Sequence, residues 1–131
     1  MNFLMRPTSV PKADPKPAAV LSKAVVRAAA QLELRQTQLA RILGVSSASA
    51  SRLAAGTWQI PEDSKSWELA AAFVRLYRSL SAITGGQTPA MRAWLHTSNA
   101  ALGGSRPADR MVTADGLIHV LHYLDAARGR I

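Results

Sequence analysis

Apolar residues recur at helical spacing along most of this 131-residue chain, and no run alternates in the way that an exposed strand does. The stripe Leu21, Val25, Ala28 and Leu32 is typical of the buried side of a helix. Such stripes, together with their cap residues, predict helices over about 18–32, 36–43, 47–55, 64–84 and 89–96, a short turn from Pro107 and a last helix after Thr113. The predicted fold class is therefore all-α.

Cap and stop residues support the boundaries of the short helices. Gly44 offers the left-handed conformation that often ends a helix, and Gly56 ends the next one. Between them, Ser46 is a favourable N-cap. Farther along, Thr88 is expected to cap a helix whose first residue is Pro89.

Composition and charge narrow the functional classes. Apolar residues make up 48% of the chain, which is enough for a core, and the absence of cysteine excludes disulfides and thiolate metal sites. No apolar run approaches the roughly 20 residues that cross a bilayer, and a cytoplasmic location is expected. The net charge is +8, of which +6 falls in residues 1–60. This basic half favours a nucleic-acid partner over the alternative of an ordinary solvated surface.

The two short helices around Gly44 have the pattern of a helix-turn-helix. A small Ala40 permits the steep crossing of the helices, and Gly44 permits the tight turn. The residues expected to close a small core are Leu39, Leu43, Val45, Ala50 and Leu53. This arrangement turns Ser47, Ala48, Ser51 and Arg52 outward.

The stretch TQLARILGVSSASASRLAAG resembles the helix-turn-helix of Xre/Cro-type DNA-binding proteins. The resemblance implies that the second helix enters the major groove, with Gln36 and Gln38 over phosphates. Arg52 is a candidate for guanine, for a phosphate or for a surface ion pair. Because small side chains read few bases, specificity is expected to need a homodimer, DNA shape or a partner that adds copies. The residues expected to face DNA are Ser46, Ser47, Ala48, Ser51 and Arg52.

The second half resembles the toxin-binding domain of Xre/MbcA/ParS antitoxins. The residues that carry the resemblance are Trp94-Leu95, Asn99-x-x-Leu102-Gly103-Gly104, Arg106-Pro107, Gly116-Leu117 and Leu124-Asp125-x-x-x-Gly129. The prolines and lysines of residues 1–17 predict a basic, Pro-rich and disordered arm. The two resemblances imply a DNA-binding domain at 18–65 and a helical toxin-binding domain at 66–131.

This resemblance implies an antitoxin that neutralises a RES-type, NAD-consuming toxin and represses its own operon. An arginine-bearing tail could enter the toxin's nucleotide cleft, although it could also be a frayed basic helix end. The alternatives are a stand-alone repressor with a C-terminal dimerisation domain and a scaffold protein. The expected toxin-binding residues are Trp94, Asn99, Arg106, Arg128, Gly129, Arg130 and Ile131.

Catalytic and metal chemistry finds little support. His119 and His122 can share a helix face, but no carboxylate joins them at ligand spacing. The Gly103-Gly104 pair lacks the lysine of a phosphate loop. No enzyme activity, cofactor or metal is therefore expected. The stripe from Phe73 to Ile83 is wide enough to be either internal core or the face of a dimer.

Overall fold

The computed structural model describes residues 16–129, and every regular element within that range is helical. The all-α prediction is therefore confirmed. The helices are α1 (Pro17–Gln31), α2 (Gln36–Leu43), α3 (Ser47–Ala55), α4 (Lys65–Ile83), α5 (Thr88–Leu95), α6 (Pro107–Arg110) and α7 (Ala114–Arg128). Most of the predicted arm at 1–17 lies outside the described residues.

The short helices begin and end where local chemistry predicts. Ser46 caps α3, because its Oγ accepts a backbone N–H of the first turn at 3.0 Å. Gly44 and Gly56 follow α2 and α3 in the left-handed conformation, with φ of 68° and 79°. Thr113 caps α7 in the same manner as Ser46, also at 3.0 Å.

The start of α5 and the loop that follows it differ from the prediction. Helix α5 begins at Thr88, so Gln87 holds the cap position and makes no side-chain capping bond. The Thr88 hydroxyl donates instead to Oε1 of Gln31 on α1, at 3.1 Å. The loop before Pro107 also contains a 3₁₀ turn, Ala100–Leu102. The first difference reflects the long-range bond from Thr88 to Gln31, and the second reflects hydrogen bonds within the loop itself.

Helix α4 is the central element of the described chain. It packs along α7 and also against α1 and α2, and its Phe73, Leu76 and Leu80 side chains are buried. These positions of the α4 stripe are therefore internal core. Buried residues of α2 and α3 join those of α7 in one connected cluster. The boundary predicted at 65/66 falls at the start of this shared helix and stays a prediction.

A polar clamp joins α5 to the end of α1. Arg92 donates through Nε to the carbonyl oxygen of Gln31 at 2.8 Å, and its Nη1 lies 2.8 Å from the carboxylate of Glu33. Glu33 has a φ of 58°, a left-handed conformation that glycine usually takes after a helix. Helix α5 thus holds the turn that leads into α2.

Candidate functional site

Helix α3 carries the predicted contact residues on its solvent side. Ala50 and Leu53 point inward and are 0% and 2% exposed. The serine-rich stretch is thus a helix with one open face, and its small side chains leave the backbone accessible to close approach. The exposed positions are Ser46, Ser47, Ala48, Ser51 and Arg52.

Arg52 is the one cation on this open face. Its Nη2 donates to the Ser49 hydroxyl at a long 3.4 Å, and no carboxylate within residues 16–129 pairs with it. The guanidinium therefore keeps most of its donors available to an anion or a base edge. Ser46 is less available, because its oxygen caps the helix and its hydroxyl donates to Ser49 at 3.1 Å.

The start of α2 lies within the same helix-turn-helix and presents further donors. Gln36 is exposed, whereas Gln38 is half-buried and accepts the backbone N–H of Arg35 through Oε1 at 2.9 Å. That bond orients the Gln38 side chain and leaves its NH₂ group free of this interaction. Arg35, which holds the N-cap position of α2 beside Gln36, is exposed and adds a cation next to these donors. We refer to Gln36, Gln38, Ser46, Ser47, Ala48, Ser51 and Arg52 as the α2–α3 face.

Trp94 and Asn99 are brought together in the second half. Both line a surface depression of about 410 Å³ at the end of α5. Trp94 is half-buried and stacks on Tyr123 of α7, with ring centroids 6.1 Å apart and planes 20° from parallel. Tyr123 was missed by sequence reasoning, because its ring partner lies on a different helix.

Asn99 organises the glycine-rich loop. Its Oδ1 accepts the N–H of Ala101 at 2.9 Å, and its backbone bonds Gly104 and Ser105 at 2.9 and 3.0 Å. The guanidinium of Arg110 holds the same loop by donating to Leu102 at 3.0 Å. These bonds make the loop a fixed turn.

Arg106 is exposed and already has a partner. It forms a two-pronged interaction with Asp109, at 2.9 Å through Nε and 3.1 Å through Nη2. The hydrogen bonds and the charge of Asp109 raise the pKa of Arg106 above its ordinary value. Any anion of a binding partner must therefore share or displace Asp109.

Arg128 lies at the junction of α4 and α7, where it ends a polar network. Its Nη1 donates to the Ser79 hydroxyl at 3.4 Å, and that buried hydroxyl donates to Asp125 at 2.8 Å. Asp125 also pairs with Arg75 of α4. Gly129 is exposed. The two other predicted tail residues, Arg130 and Ile131, lie outside the described residues.

His119 and His122 are exposed on α7 and line a depression of about 470 Å³ with Asp115, Ile118 and Tyr123. Within residues 16–129, no three His, Asp or Glu side chains gather in a way that could hold a metal ion. The helices of this same range include none that is both long and apolar enough to cross a membrane.

Two protein-family models match adjacent parts of the chain. The model of the antitoxin Xre-like helix-turn-helix domain matches residues 13–75. The model of the antitoxin Xre/MbcA/ParS C-terminal toxin-binding domain matches residues 79–130. Both are binding domains and not enzymes. No curated protein matches the chain. The two matches meet within α4, the helix that the two halves share.

Proposed function

Because the chain belongs to the Xre/MbcA/ParS-type antitoxins, we propose that it neutralises a RES-type, NAD-consuming toxin and represses its own operon in the cytoplasm. Residues 18–65 bind operator DNA and residues 66–131 bind the toxin. The observation that carries the proposal is the open face of α3, joined through one core to the half that matches a toxin-binding family. The helix proposed to bind DNA and the half that matches a toxin-binding family thus share one core.

DNA recognition in this proposal begins with the α2–α3 face. Helix α3 enters the major groove, and its serine hydroxyls and the methyl group of Ala48 contact base edges. Arg52 reads a guanine, a contact worth roughly 1–3 kcal/mol of discrimination. Gln36 and Gln38 donate to phosphates. Since one copy offers so few contacts, a homodimer binds two half-sites about one helical turn apart.

Toxin neutralisation uses the second half of the chain. Trp94 and Asn99 contact the toxin beside the fixed loop, and Arg106 adds a charge at its rim. The tail from Arg128 to Ile131 enters the cleft where the toxin binds NAD. Planar guanidinium groups suit the phosphates of that site, so the tail excludes the dinucleotide. The bond from Arg128 to Ser79 is long, at 3.4 Å, and is readily exchanged for a phosphate.

Co-expression tests the toxin half of this function. The full chain is co-expressed with the product of the adjacent gene, which this proposal requires to be a RES-type toxin, and we expect co-purification and rescue of growth. Deletion of residues 128–131 should abolish rescue yet leave DNA binding unchanged. Full rescue by the shortened chain would refute the role of the tail, and failure of the intact chain to bind that protein would refute the antitoxin function.

Binding to duplex DNA at several salt concentrations tests the other half. Phosphate contacts release counterions, so the logarithm of affinity falls linearly with the logarithm of salt, by about 0.9 for each contact. We expect such a slope for the chain on the DNA upstream of its own gene. A slope near zero would remove the repressor function. DNA binding without any toxin binding would favour the stand-alone repressor.

A further inference from the structure

A strip of partly exposed apolar side chains runs across α5 and α7. Trp94 lines the depression of about 410 Å³ on one side, and Tyr123 lines the depression of about 470 Å³ on the other. Because the two rings stack, the depressions adjoin at the stack. Ile118 extends the apolar surface and is 37% exposed. We call Trp94, Ile118, His119, His122 and Tyr123 the aromatic strip.

The charge of the strip distinguishes it from the rest of the molecule. The chain carries 16 Lys and Arg residues and a net charge of +8, yet neither depression is lined by a Lys or an Arg. Asp115 is the one acidic residue among their lining side chains. A surface of this kind lacks the cations that phosphate binding needs. Exposed aromatic and aliphatic groups with few charges are instead typical of the centre of a protein–protein interface.

The strip also lies within the part of the chain that matches a toxin-binding family, residues 79–130. Trp94 is half-buried, so its ring is held by the core while one side remains accessible. Such a ring loses little side-chain freedom on binding, which favours its use as an anchor. Ala90 and Ala93 beside it are small and exposed, so a partner's side chain can enter the depression.

We propose that the aromatic strip is the surface that docks the toxin, through an uncharged, apolar projection of the toxin seated against the Trp94–Tyr123 stack. The imidazoles of His119 and His122 provide hydrogen bonds at its edge. This inference rests on the proposed antitoxin function. In this proposal the aromatic strip provides the affinity for the toxin, and the tail separately blocks the NAD cleft.

The test replaces Ile118 by Asp in the full chain and titrates this variant with the toxin that the co-expression experiment identifies. A buried carboxylate should weaken binding by at least about 30-fold, the scale of one interface hot spot. The matched control is Val20→Asp, on α1. Val20 is the other exposed large apolar residue of the described chain, at 54%. The control should change affinity by no more than about twofold.

A second variant, toxin binding by the unmodified chain and the oligomeric state of the chain keep the outcomes separate. If Ile118→Asp fails to fold, His119→Glu, at an exposed position, takes its place and should also weaken toxin binding. Wild-type affinity in a folded Ile118→Asp chain, with the unmodified chain binding the toxin, would overturn the strip and leave the antitoxin function intact. Loss of toxin binding by the unmodified chain would overturn both. A variant that dissociates copies of this chain but keeps toxin affinity would assign the strip to self-association and overturn the proposal.

Discussion

Gly116 occupies a buried position in the first turn of α7, where a side chain has no room. A Cβ built on it would overlap the carbonyl oxygen of Arg110 and lie 2.8 Å from the carbonyl carbon and 2.9 Å from Oγ1 of Thr113. The obstructing group is backbone at the end of α6, so no rotamer change relieves the overlap. Gly116→Ala must therefore displace α6 or tilt the start of α7.

The expected loss of stability combines two costs and one gain. Overpacking costs about 1–3 kcal/mol, and a disturbed Thr113 cap costs about 1 kcal/mol. The better helix propensity of alanine returns up to about 1 kcal/mol. We expect a net loss near 2 kcal/mol, which lowers the Tm of a chain of this size by about 8 °C.

Thermal unfolding followed by circular dichroism at 222 nm measures this loss. Gly129→Ala is the matched control, because Gly129 has a φ of −67° and a Cβ there meets its nearest neighbour at an ordinary 3.5 Å. The control should keep the Tm of the unmodified chain or raise it slightly. A Gly116→Ala chain as stable as the control would refute the steric argument.

Three further substitutions test separate features. Ser22→Ala removes the buried acceptor of the Ile60 N–H, 2.9 Å away, and should lower the free energy of unfolding in urea by about 1–3 kcal/mol. The control Ser51→Ala, at an exposed position, should lower it by under about 0.5 kcal/mol. Equal losses would contradict the role of burial. Glu33→Gly should be more stable than Glu33→Ala by about 1 kcal/mol. Both variants lose the ion pair to α5, but only glycine relieves the strain of the left-handed backbone. The reverse order of stability would count against strain at this turn. Arg52→Ala should cost about 1–3 kcal/mol on operator DNA relative to an unrelated duplex. A uniform loss on both duplexes, with a salt slope smaller by about 0.9, would instead identify a phosphate contact.

The two halves of this antitoxin are physically dependent on each other. Phe73, Leu76 and Leu80 of α4 belong to the cluster that joins α1 and α2 to α7. Removal of either half exposes part of that cluster to water, at about 25 cal/mol for each Å² of apolar surface. Experiments on function are therefore best done with the full chain and point substitutions.

Much of the helical framework was predictable because its causes are local. The αL glycines at 44 and 56 and the caps at Ser46 and Thr113 act within one turn, so their residue types identify the helix ends. The open face of α3 follows as well, because helical spacing that turns Ala50 and Leu53 inward turns their neighbours outward. The sequence by itself therefore determined the helices and the exposed positions of the α2–α3 face.

Only the tertiary structure decided which distant residues meet. Thr88 is a residue type that is typical of a helix cap, yet its hydroxyl bonds Gln31 of α1. The ring partner of Trp94 likewise comes from another helix. Helical periodicity gives the direction of a side chain about its own axis but not the helix that lies opposite. For this reason three features appear only when the helices are assembled: the α4–α7 packing, the hydrogen bond from Arg128 to Ser79 and the aromatic strip.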